Sequence, residues 1–201
     1  MGTILKGVRL LSGEVISLIV QTHRLVGKFL YINLSQELKS KLDYAAFVWG
    51  NVKPDVLRKY KKVSHYYPEN EDYVLKIFDE VMNENLSKRE FSDRLGVLIH
   101  FLCDYTCIYH NNMKINNAHS MRKHMQYEIN LHFYTLTHIH KAKSLKLIQF
   151  QNKVAIIDHI YDVINQANQD EATPNTATDF HEMMILSTSV LTYILKTKKF
   201  S

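Results

Sequence analysis

The sequence predicts an all-α fold, a single-domain bundle of about seven helices spanning residues 1–201. Three observations carry this. The 201 residues include only six Gly and three Pro, so turns are few and helices long. No segment sustains the apolar–polar alternation of a half-buried strand. The composition, 46% hydrophobic and 22% charged, suits one good-sized core rather than a disordered chain.

The elements follow in order. A first helix over 13–33 places Leu18, Ile19, Leu25, Val26, Phe29 and Leu30 on one face. Ser35 can cap a second over 36–47. The stretch "VWGNVKPDVLRKYKKVSHYYPEN", 48–70, carries Gly, Asn and two Pro and reads as a loop. Asn70 opens a helix to Met82. "SKRE" at 87–90 is a capping box, in which Ser87 and Glu90 satisfy each other's amides. The helix it starts runs through "HFLCDYTCIYHN" at 100–111, and "NNMKINNAHS" at 111–120 is a polar loop. Helices are expected over 121–140 and 145–168, a loop over "QDEATPNTATD" at 169–179, and a last helix over 179–197.

The net charge of +5, carried partly by "RKYKK" and "KTKK", describes solvated basic faces with a slight preference for anionic partners. Cys103 and Cys107 lie four apart in one helix, a geometry that suits a disulfide poorly. They are expected as buried free thiols of a reducing compartment, with Cys107 a minor candidate ligand. The start, "MGTILKGVRLLSGEVISLIVQTH", is interrupted by Glu14 and lacks a clean small-residue cleavage site. It reads as a mature first helix, so a cytoplasmic product is expected. No run is long and apolar enough to span a membrane.

Eleven His in 201 residues point to a metal. His100 and Asp104 are spaced i,i+4 on one helix, and His124 and Glu128 in "HMQYE" repeat the spacing on a later one. Such a pair shares a helix face and can clamp one zinc ion. His110, six residues beyond Asp104, falls where its helix should end and can turn toward a second ion. His23 on the first helix, and Asp55 and His65 on the loop, complete a set of donors around a bundle core. His132 continues the 124, 128 spacing as a neighbour of the ligands. His119, His138, His140, His159 and His181 read as structural or surface residues.

The ordered set is His23, Pro54-Asp55, "HYY-PE" from 65, H-x3-D-x5-H from 100 to 110 and H-x3-E from 124 to 128. It resembles the zinc-dependent phospholipase C family, whose fold is shared by fungal single-strand nucleases. The resemblance implies an all-helical domain with two to three zinc ions. Asp55, His65, His100 and Asp104 would hold the first, and His110, His124 and Glu128 the second. His23 and Asp104 would help hold a third, so that Asp104 bridges two ions. Asp55 would also orient or deprotonate the attacking water, whose pKa zinc lowers. The implied substrate is a phospholipid or other phosphodiester, with peripheral contact to a membrane surface. Secretion is the family habit.

Departures from the family pattern are also present. About twenty residues precede His23, where the family places a chelating mature amino terminus. Ile108 stands where a Pro is usual, and the chain ends without a lipid-binding β-sandwich. The alternatives are a nuclease or other phosphoesterase on the same scaffold, in which Tyr66, Tyr67 and Tyr105 could stack bases, or a weakly catalytic zinc-binding protein.

Overall fold

The computed structural model describes residues 12–112, 115, 121–169 and 173–199. The expectations for the chain's start, for most of the 111–120 loop with His119, and for part of the 169–179 loop lie outside these residues. The described residues are all-α. Helix α1 covers Ser12–Asn33, α2 Gln36–Ser40, α3 Tyr44–Gly50, α4 Lys53–Val56, α5 Glu71–Asn83, α6 Lys88–Thr106 and α7 Ile108–Asn111. They are followed by α8 at Met121–His138, α9 at Lys153–Ala167 and α10 at Thr176–Thr197. Two 3-10 helices lie at Arg58–Lys62 and Ile139–Ser144.

Helix α6 is the axis of the bundle. Every residue from Leu95 to Thr106 is buried, so this helix is apolar on all sides except where it carries His100 and Asp104. It packs against α1, α3, α4, α5, α7, α9 and α10. Its start is the expected capping box: Ser87 Oγ accepts from the Glu90 amide at 3.3 Å, and Glu90 Oε2 accepts from the Ser87 amide at 3.1 Å. Its own Phe91 and Phe101 and, from α3, Phe47 are fully buried, each contributing roughly 1.5–3 kcal/mol. On α1, Val26 and Leu30 are buried and Leu25 and Phe29 half-buried, as the periodicity requires; the side chains of Leu18 and Ile19 lie outside the description.

Several boundaries move, each for a local reason. The expected 36–47 helix divides because Asp43 caps α3, accepting from the Ala46 amide at 2.8 Å. The 48–70 loop contains α4, with Pro54 in its first turn. Asn70 does precede α5, but its side chain accepts from the Tyr105 hydroxyl at 2.8 Å instead of capping. Residues 145–152 are not helical, since Asn152 caps α9 by accepting from the Ala155 amide. The last helix begins earlier than residue 179 because Asn175 accepts from the amides of Ala177 and Thr178.

Close packing of α3 on α6 depends on two glycines. A Cβ on Gly50 would overlap the Asp93 carbonyl oxygen and fall 2.9 Å from Gly96 Cα, while a Cβ on Gly96 would overlap the Phe47 carbonyl oxygen. Both obstacles are backbone, so neither can rotate away. Gly96→Ala is therefore expected to lower stability by about 1–3 kcal/mol or more. Urea unfolding of the variant checks this; an unchanged midpoint would contradict the packing.

Candidate metal centre

All eight expected donors converge on one cleft wall. His23 comes from α1, Asp55 from α4, His65 from the loop after the first 3-10 helix, and His100 and Asp104 from α6. His110 comes from α7, and His124 and Glu128 from α8. His23, Asp55, His65, Asp104, His110 and Glu128 line a cavity of about 550 Å³ together with Pro54, Val63, Ser64 and Tyr66.

Local structure explains each placement. The carbonyl of Asn51, just past α3, lies 3.0 Å from His100 Nδ1. A carbonyl only accepts, so Nδ1 carries the proton and Nε2 is left bare toward the cleft. Buried Lys53 pairs with Asp93 and so fastens α4, with Asp55, to α6. The Tyr67 amide donates to the His110 carbonyl at 2.9 Å, joining the His65 loop to α7. Helix α6 stops at Thr106, whose hydroxyl turns back to the Cys103 carbonyl, and Cys107 is extended. That break turns His110 toward α8.

The donors form compact groups. His65 Nδ1 lies 2.8 Å from Asp104 Oδ2 and 3.9 Å from Asp55 Oδ1. His100 Nε2 lies 3.4 Å from Asp104 Oδ2, 3.7 Å from Asp55 Oδ1 and 3.3 Å from His65 Nδ1. Ligands about 2.0–2.1 Å from a tetrahedral zinc stand about 3.3 Å apart, close to the separations within His65, His100 and Asp104, while Asp55 groups with His23 and His100. The other oxygen of Asp104, Oδ1, lies 3.2 Å from His23 Nε2. His23 also groups with Asp55 and His100, its ring 3.9 Å from that of His100. In the second group, Glu128 Oε1 lies 3.0 Å from His110 Nε2 and 3.2 Å from His124 Nε2. His23 Nδ1, Asp55 Oδ2 and His110 Nδ1 are buried without a hydrogen-bond partner, a cost that a coordinated cation would offset at those facing it.

The electrostatics carry the same mark. Burial opposes ionisation of Asp104, but the imidazoles of His100, His23 and His65 outweigh it and hold the carboxyl well below its ordinary range. Burial raises Asp55 to about 6. Burial drives His100 well below 6.5, whereas His23 and His65 are raised because their bonds to Asp104 outweigh burial. Burial also opposes the charged forms in the second group. There the mutual hydrogen bond outweighs it, raising His110 to about 9 and, with His124, lowering Glu128 to about 2. In the metal-free protein, protons on imidazole supply positive charge that a divalent cation would otherwise bring.

A family model described as zinc dependent phospholipase C matches residues 22–178. The chain belongs to this family. The matched segment contains all eight donors and makes zinc the relevant cation. No curated relative and no solved structure matches the chain.

Some expectations change. Cys103 and Cys107 are free and buried as expected, but Cys107 enters none of the ligand groups. Burial and then the Asp179 carboxylate push its thiol well up, away from the thiolate a metal needs. His132 lies behind the site, its Nδ1 2.8 Å from the Thr22 hydroxyl, and so ties α8 to α1 next to His23. Tyr67 and Tyr105 pack edge-to-face on each other, leaving Tyr66 as the tyrosine on the cleft wall. The Asn51 carbonyl and Lys53 carry no ligand-like signal in sequence, because their roles depend on which helix lies opposite. Among the described residues, no helix is long and apolar enough to cross a membrane.

Two outcomes are expected. Glu128, depressed on folding, contributes stability that is full above its ordinary 4.5 and lost as pH falls toward about 2. His110, raised on folding, contributes stability that is full below 6.5 and lost as pH rises through about 9. The pair should therefore stabilise the metal-free protein most between about pH 4.5 and 6.5. Urea unfolding of metal-free wild type and Glu128→Gln across pH tests this, since their difference should peak in that window. Zinc binding at neutral pH should also release protons, and fewer once pH exceeds the His110 value of about 9. Zinc titration in weak buffer with a pH indicator measures the release.

Proposed function

We propose that the chain, as one helical domain, is a zinc-dependent phosphoric-diester hydrolase that cleaves phospholipids in phospholipase C fashion. The observation that supports this most is the division of one carboxylate. Asp104 offers Oδ2 to the His65 and His100 side and Oδ1 to His23, beside the His110, His124 and Glu128 group in the same cleft. In this reading Asp55, His65, His100 and Asp104 hold one ion, and His110, His124 and Glu128 a second. His23 with Asp104 contributes to a third. Zinc, when bound, supplies Lewis acidity, which acidifies water and offsets charge developing on phosphoryl oxygens.

The side chains divide the remaining work. Asp55 points Oδ1 at His65 and His100, while Oδ2 is buried and unpartnered. A carboxylate with a pKa of about 6 in that position can take the proton of the attacking water. The water oxygen bonds to phosphorus, the bond to the glycerol oxygen breaks, and that oxygen is protonated as diacylglycerol leaves. Pro54, Val63 and Tyr66 in the lining provide an apolar wall for the glyceride end. Exposed Val56, next to Asp55, and the exposed basic residues Arg58, Lys59 and Lys62 support peripheral contact with a lipid surface.

The expected result is diacylglycerol release from phosphatidylcholine vesicles, abolished by chelation and restored by zinc. Asp55→Asn should lower turnover by about 10²–10⁴-fold. Nucleotide release from single-stranded DNA in place of lipid turnover would move the reading to a nuclease, with Tyr66 stacking bases. Tight zinc with neither turnover would make it a zinc-binding protein of little catalysis.

A further inference from the structure

Asp179 is a buried carboxylate, 7% exposed, in the first turn of α10, and the chemistry above gives it no part. Its Oδ2 accepts two hydrogen bonds, one from the Ile108 amide at 3.0 Å and one from the Tyr127 hydroxyl at 2.7 Å. The donors belong to α7 and α8, the two elements that carry the second donor group.

Each bond leads directly to that group. Ile108 is the first residue of the short helix that holds His110. Its amide is one of those that a helix start leaves without an internal partner. The preceding Cys107 supplies no side-chain cap, so Asp179 does so from across the core. Tyr127 precedes Glu128 in α8, and its ring lies 5.0 Å from that of Tyr109. Tyr109 in turn stacks on His124 at 4.9 Å with the planes 15° apart. One carboxylate thus braces the turn of His110, the neighbour of Glu128 and the ring behind His124. The first donor group has its own supports, the Asn51 carbonyl on His100 and Lys53 on Asp93, and meets α7 through the Tyr67 amide on the His110 carbonyl.

We infer that Asp179 is a positioning residue for the second cation, fixing His110 relative to His124 and Glu128 and so setting the affinity of that site above all. This rests on the zinc reading of the second group. Partners behind metal ligands of this kind are typically worth about 10–100-fold in metal affinity.

The test is stepwise removal of zinc from the loaded full chain with a competing chelator. Glu128→Gln identifies the step that belongs to the second group. Asp179→Ala should weaken that step by about 10–100-fold and the remaining steps far less. Asp179→Asn keeps an accepting oxygen without the charge and should recover part of the loss. Tyr127→Phe keeps the ring stack and removes one donor, so it should give a smaller loss in the same step even if Asp179→Ala fails to fold. Equal weakening of all steps, or wild-type affinity in both Asp179→Asn and Tyr127→Phe, would overturn the inference. If wild type shows no step that Glu128→Gln removes, the zinc reading of the second group fails, and the inference with it.

Discussion

The Asp104 carboxylate sits on the buried face of the central helix and has to be neutralised by groups from elsewhere. An isolated buried carboxylate is costly enough to change its protonation instead. Its own helix supplies one neighbour, His100, at the i,i+4 spacing. His23 must come from α1 and His65 from the long loop. Most of the bundle's connectivity near the cleft can be understood as bringing those two imidazoles to one anion. The close approach of α3 to α6 at Gly50 and Gly96 serves the same end, because it delivers the Asn51 carbonyl to His100 and starts the chain toward Asp55.

Compensation by imidazole alone is incomplete, and this is what separates a metal centre from an ordinary buried ion-pair cluster. Three of the imidazoles beside Asp104 and Glu128 are pushed toward protonation, while His100 is pushed the other way. A nitrogen kept neutral by a carbonyl behind it is arranged to donate a lone pair rather than a proton. Buried acceptors such as Asp55 Oδ2 also go unpaired. Tightly packed interiors seldom leave such groups without partners, so their concentration in one cleft points to a cation as the element that completes the site.

Much of this was legible before any coordinates. The capping box at Ser87 and Glu90 and the two i,i+4 donor pairs are local signals, decided within a few residues, and they survive folding unchanged. So does the turning of His110, since a residue six beyond Asp104 cannot share its face of a straight helix. What escaped were features set by the opposite wall. Asp43 and Asn152 interrupt apolar runs that look continuous by periodicity. Lys53, in a stretch that reads as a loop, is buried against Asp93. Asp179 appeared to end a polar loop, and only the cap at Asn175 reveals that it faces inward from a helix already begun.

The break after Asp104 shows how these levels connect. A helix that continued through Cys107 would carry His110 away from α8, so it has to end, and ending it exposes amides that the buried interior must satisfy. A proline at this position would need no partner, because it has no amide hydrogen. Ile108 does have one, and the bundle meets it with Asp179. Burial raises that carboxyl to about 6, so it is ionised at neutral pH, and the Tyr127 hydroxyl and Ile108 amide both favour the ionised form. The Ile108 amide is thus matched by an acceptor seventy-one positions later, and one backbone donor becomes a link between three helices around His110.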